Sequence, residues 1–162
     1  MTIKPPDSHH LSAAVGWMEL GNSSEALADL DRINPSMRSH PAVLEVRWEI
    51  YAKACDWQKC VEVARQITSA APKKALGWIH LSFALHEMKQ TREAHANLAG
   101  VLERFPNDWL MRYNLACYAC QLGDLGEAGR WLAGAMLKGK AKQIKRMAQE
   151  DPDLQPLFSA GK

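Results

Sequence analysis

Apolar residues along this chain fall in helix-length blocks broken by glycine, proline and aspartate, which predicts a series of short amphipathic helices. The clearest stretch runs from Ala75 to Pro106. It reads Ala-Leu-Gly-Trp-Ile-His-Leu-Ser-Phe-Ala-Leu, continues as Glu-Ala-His-Ala-Asn-Leu and closes at Phe105-Pro106. With Ala75 as position 1, a step of 34 residues gives equivalent starts at Asp7, Pro41 and Trp109. Position 20 of the four windows holds Ala26, Cys60, Ala94 and Ala128. Position 24 holds Leu30, Ala64, Leu98 and Leu132, and position 27 holds Ile33, Ile67, Val101 and Ala135. One helix pair of this size cannot bury its apolar face alone, so stacked pairs are expected.

The polar punctuation fits that register. Gly21 is expected to end the first helix in a left-handed conformation, and Asn22 to cap the next with Glu25 three residues on. The first window closes early, at Asn34-Pro35; a longer loop follows, and Pro41 suits the first turn of the next helix. Asp56, Asp108 and the pair Asp124 and Glu127 are further caps, and Gly123 ends another helix. Gly126, Gly129 and Gly134 lie inside the last helix of the fourth window, which implies a close neighbour or a frayed helix. Residues 143–149 read as a short helix with Ile144, Met147 and Ala148 on one side. The tail from Asp151 to Phe158 is expected to be non-helical, with Leu154, Leu157 and Phe158 folded back over that helix. Residues 1–6 are expected to be a flexible lead-in.

Trp78, Leu81, Ser82, Leu85, Ala94, Leu98 and Pro106 follow the pattern W-x2-L-G-x2-Y…A-x3-F…P. The segment resembles one repeat of the tetratricopeptide family, and the resemblance extends over about Asp7 to Lys142. It implies an all-α, right-handed α-solenoid of four helix pairs (7–40, 41–74, 75–108 and 109–142). A C-terminal capping helix and folded-back tail (143–162) would follow. The second repeat departs from the pattern: Arg47 stands where leucine is usual and Trp48 where a small residue is usual. A wider or rotated joint is expected there.

The resemblance also implies a role. In this family the first helix of each pair lines a concave groove, and the scaffold binds a peptide or helix of a partner protein without catalysis. Family geometry carries Glu45, Glu49, Ile79, His80, Phe83, His86, Tyr113 and Asn114 onto that inner face as candidate partner-binding residues. Leu76, Ile79, Phe83, Leu110 and Tyr113 would form an apolar floor, and Glu45 with Glu49 a negative end. That combination suits a segment with apolar anchors and a nearby basic residue. The carboxylate clamp by which some relatives hold acidic chaperone tails is not expected, since its five positions hold Leu11, Val15, Val46, Leu76 and His80 in one frame and Glu45, Glu49, His80, Leu110 and Asn114 in the other, and neither set supplies the cations that would pair with carboxylates. A self-associating structural oligomer, with Trp57 and Trp109 as contacts, is the alternative.

Composition narrows the rest. Of 162 residues, 20 are Lys or Arg and 18 Asp or Glu, a net charge of +2 that argues for neither nucleic acid nor an anionic membrane as partner. The basic run Lys138, Lys140, Lys142, Lys145 and Arg146 reads as a solvated helix face. No stretch reaches the ~20 apolar residues of a spanning helix, and the first residues lack the apolar core of a secretory signal. Cytoplasmic localisation and free thiols are expected. Cys117-x-x-Cys120, with His86 on the adjacent inner helix, offers a third reading as a metal or thiol site. Its mid-helix position favours buried, inert cysteines, and no cofactor is expected. No Gly-rich phosphate loop, Gly-x-Ser-x-Gly or His-Glu-x-x-His motif occurs.

Overall fold

The helices alternate in two registers. In the computed structural model, which describes residues 2–159, the first helices of each pair are α1 (Asp7–Glu19), α3 (Pro41–Lys53), α5 (Ala75–Glu87) and α7 (Trp109–Gln121). Their partners are α2 (Ser23–Arg32), α4 (Trp57–Ala70), α6 (Thr91–Val101) and α8 (Leu125–Lys138). Both sets start at a constant step of 34 residues. α9 (Ala141–Glu150) and α10 (Gln155–Ser159) complete the chain, with no strand among the described residues. No helix among them is long and apolar enough to cross a membrane. Expectations for the lead-in and tail that fall on residues 1 and 160–162 lie outside the described residues.

The turn inside each pair explains the shared step. Gly21, Cys55, Lys89 and Gly123 occupy one register position, and all four have left-handed φ, at 78°, 53°, 64° and 88°. This geometry lets the amides after each helix return to its last carbonyls, as in Gly21 N–H to Met18 O at 3.1 Å and Asn22 N–H to Trp17 O at 2.8 Å. The next position starts the second helix. Asn22, Asp56 and Asp124 accept from the amides of Glu25, Lys59 and Glu127 at 3.2, 3.3 and 2.8 Å, whereas Gln90 makes no side-chain cap bond. A side chain with a Cβ is strained in the left-handed region. Replacing Lys89 with glycine is therefore expected to raise stability by about 1 kcal/mol. Urea unfolding measures this, and an unchanged or lower midpoint would contradict it.

The chain divides into two compact units, one ending at Gly77 and the other beginning at Trp78. In the first, α1 packs on α2 and α3, α2 on α3, and α3 on α4. Ala14, Met18, Ala26, Leu30, Ile33, Met37, Val43 and Ile50 form a core, with Ile3 from the lead-in laid against it. Position 20 is fully buried in all four pairs, at Ala26, Cys60, Ala94 and Ala128. At the second pair the Cys60 thiol of α4 reaches to 3.7 Å from the Trp48 carbonyl of α3. Gly77 allows a similar approach, since a Cβ there would lie 2.8 Å from Ile67 Cγ2 and 3.1 Å from the Thr68 amide nitrogen.

One buried charge joins α1 to α2. Asp29 accepts from Trp17 Nε1 at 3.0 Å and Arg32 at 2.9 Å, and pairs with His10 Nδ1 at 3.3 Å. Burial pulls its carboxyl upward, but the bonds from His10, Arg32 and Trp17 and the Arg32 charge outweigh that, and the pKa is lowered.

In the second unit α7 packs on α6 and α8, and α8 on α9. Met111, Leu115 and Tyr118 from α7 are fully buried, as are Leu98, Ile144 and Leu154. Asn97 of α6 ties to α5 through Ser82 Oγ at 2.6 Å and the Trp78 carbonyl at 3.3 Å. α8 is continuous through its glycines; a Cβ on Gly129 would make ordinary contact with Leu157 Cδ1 at 3.9 Å. Trp109 is half-buried, and Gly139 sits so close that a Cβ there would lie 2.9 Å from Trp109 Cγ.

The tail departs from its expected non-helical form. Pro152–Leu154 is a 3-10 turn that runs into α10. The reason is local: Asp151 Oδ1 accepts from the Asp153 amide at 3.0 Å, and Pro152 and Pro156 each stand in a first turn, where a missing N–H costs nothing.

Candidate functional site

The candidate residues lie on the first helices of three pairs. Glu45 and Glu49 are on α3 in the first unit, half-buried and exposed respectively, and neither is ion-paired among the described residues. The other six belong to the second unit. On α5, Ile79 is buried, His80 half-buried and Phe83 38% exposed, while His86 is buried one turn further on. On α7, Tyr113 is buried and Asn114 half-buried. Burial of His80 penalises the imidazolium and pushes its pKa down to about 4, so the ring is neutral at physiological pH.

The second unit brings His86 and Tyr113 together through the tail. Tyr113 donates its hydroxyl to Asp151 Oδ2 at 2.7 Å, and His86 Nε2 donates to Asp153 Oδ2 at 3.1 Å. The other ring nitrogen of His86 is 3.0 Å from Thr91 Oγ1, and its ring lies against Tyr118 with centroids 5.0 Å apart. These contacts hold the imidazole edge toward the tail. Gln121 Nε2 donates to the Asp153 carbonyl at 2.9 Å, and the Cys117 thiol is 3.7 Å from Asp151 Oδ2. Leu154 is fully buried, Leu157 half-buried and Phe158 partly exposed. Burial and the bond to the Asp151 carboxylate both drive the Tyr113 phenol far upward, which keeps it a proton donor.

Sequence reasoning did not single out Asp151 or Asp153. A signal existed in Asp151-Pro152-Asp153, where an aspartate before proline can cap its own turn while a second carboxylate follows on the same side.

The cysteine arrangement differs from the one the spacing offered. Cys120 lies beside the backbone amide of Leu157, and the His86 ring is engaged by Thr91 and Asp153. The ligand atoms that cluster are Cys117 Sγ and carboxylate oxygens of Asp151 and Asp153, all within 4.8 Å of one another. Burial first, then these two carboxylates, drive the Cys117 thiol far upward. Burial likewise raises Cys120, and pushes Cys60 up to about 12. Such thiols stay protonated and are poor nucleophiles at neutral pH.

No family model matches the sequence, and no curated protein matches it. Solved structures do match the fold. MamA from residue 41 to its end, from Desulfovibrio magneticus RS-1, superposes with a TM-score of 0.73 at 14% identity, over 85% of this chain and 78% of that one. YrrB, a tetratricopeptide protein with an unusual peptide-binding site, gives a TM-score of 0.68 at 15% identity, over 94% of this chain and 76% of its own. The complex of the TPR2AB domain of yeast Sti1 with pHSP90 gives 0.65 at 16% identity, over 96% and 70%. The chain therefore has the all-α tetratricopeptide-repeat fold, with four helix pairs followed by α9.

Proposed function

From a tetratricopeptide-repeat fold, we propose that the chain is a non-enzymatic scaffold that binds a segment of a partner protein on the inner faces of its first helices. Ile79, His80, Phe83, His86, Tyr113 and Asn114 are the contact residues of the second unit, and Glu45 and Glu49 are those of the first, each unit taken by itself. One observation carries the reading: side chains of α5 and α7 hold a peptide segment, the chain's own tail, through hydrogen bonds. Fold neighbours support it, one described as having a peptide-binding site and one as a complex with pHSP90. The partner is a protein rather than nucleic acid or membrane, and the setting is cytoplasmic, compatible with four free cysteines.

Phe83 is the side chain to test, because it is apolar and 38% exposed on this face. In affinity capture from cell extract, Phe83→Glu is expected to lose a wild-type-bound protein by 10-fold or more with unchanged circular dichroism. Equal capture by both chains would remove the inner face of α5 from the binding reading.

A further inference from the structure

Resting on that binding role, we propose that residues 151–154 are an internal ligand. The face formed by α5 and α7 recognises an acidic turn, two carboxylates one residue apart followed by an apolar anchor. A partner segment of that chemistry competes with the chain's own tail for it.

The donors aimed at the tail argue for acidic recognition. A hydroxyl, an imidazole, an amide and a thiol converge on Asp151 and Asp153, at 2.7, 3.1, 2.9 and 3.7 Å, the amide reaching the Asp153 carbonyl. None comes from lysine or arginine, so recognition rests on directed bonds at fixed positions rather than on the cationic clamp that the sequence lacks. The turn is also pre-shaped. Pro152 restricts the backbone and Asp151 caps the Asp153 amide, so little conformational freedom is lost when it docks. Leu154 supplies the fully buried anchor.

The same segment is built to be displaced. The Asp153 side chain is 37% exposed, α10 is one short turn, and Phe158 is partly exposed. No residue from 155 to 159 is fully buried, and segments without buried side chains open at a lower free-energy cost than the core. Covalent attachment gives the tail an effective concentration in roughly the millimolar range, so a partner must offer more contacts than the tail does.

The test uses the full chain and a fluorescein-labelled synthetic peptide of residues 150–159. Asp151→Asn with Asp153→Asn in the chain weakens the resident tail and leaves Leu154 and every donor in place. Fluorescence anisotropy is expected to show the peptide binding this variant at least 10-fold tighter than wild type. The peptide carrying asparagine at both positions should bind at least 10-fold more weakly, and adding Tyr113→Phe to the variant chain should weaken the aspartate peptide again.

A variant that keeps its circular dichroism but binds no peptide, or binds both peptides equally, overturns the proposal. So does one that dimerises in sedimentation, because the face would then serve self-assembly. Peptide binding without any Phe83-dependent capture leaves the internal ligand standing and removes the scaffold role. Phe83-dependent capture that excess peptide does not reduce keeps the scaffold role and removes the acidic-turn specificity.

Discussion

Asp29→Ala is expected to lower stability by about 3 kcal/mol, more than any other single change argued from this structure. The carboxylate is buried and accepts bonds from two helices: Trp17 and His10 on α1, and Arg32 on its own α2. Its removal leaves the Trp17 indole N–H and the His10 ring without the acceptor that draws α1 onto α2. The Arg32 side chain is 62% exposed and can return to water, which keeps the loss below that of a fully buried pair. Asp29→Asn retains the shape and an acceptor oxygen, and should cost about half as much. Urea midpoints at neutral pH measure both, and a loss under about 0.5 kcal/mol for the alanine variant would show that the network contributes nothing net.

Asp29 also has a pH signature. Its folded pKa lies below the ordinary carboxylate value of 3.8, so its contribution is fully present above that value. It is lost as the pH falls through the folded pKa, because only then does the native chain take the proton.

Stability should begin to fall earlier, at milder acidity, because of His80. Burial holds its pKa at about 4 against 6.5 for a free imidazole. Above pH 6.5 neither state carries the proton and the group adds no slope. As the pH drops from about 6.5 toward 4 the unfolded chain becomes protonated while the folded chain does not, so folding weakens across that window. Allowing for water at the half-buried ring edge, the loss is about 2 kcal/mol by pH 4. His80→Gln cannot titrate and should flatten this part of the profile while leaving the Asp29-linked loss below it. Unfolding free energies of both proteins at intervals between pH 7 and 4 decide the matter; parallel profiles would assign the acid sensitivity to other groups.

Much of the architecture is written in local chemistry. Ala26, Cys60, Ala94 and Ala128 sit at one register position because a second helix can approach closely only over a small side chain, and all four are fully buried. Asn22, Asp56 and Asp124 mark helix starts because their short side chains reach back to amides three residues on. Such rules act within a few residues or repeat at a fixed period, so the helix pairs and their 34-residue step are legible without coordinates. The candidate contact residues come from the family resemblance laid on the same register, as a set of positions.

Which groups those positions meet is another matter. Tyr113 finds Asp151 across 38 residues and His86 finds Asp153 across 67, and no periodic pattern links either pair. Cys55 and Lys89 take the left-handed turn that glycine takes at 21 and 123, although nothing in their side chains announces it. The sequence by itself determined the repeat, its caps and the buried small residues, because short-range backbone and packing constraints dictate them. Only the tertiary structure decided that the tail turns onto α7 and that two aspartates answer its donors, because long-range pairing depends on where the whole chain brings each group.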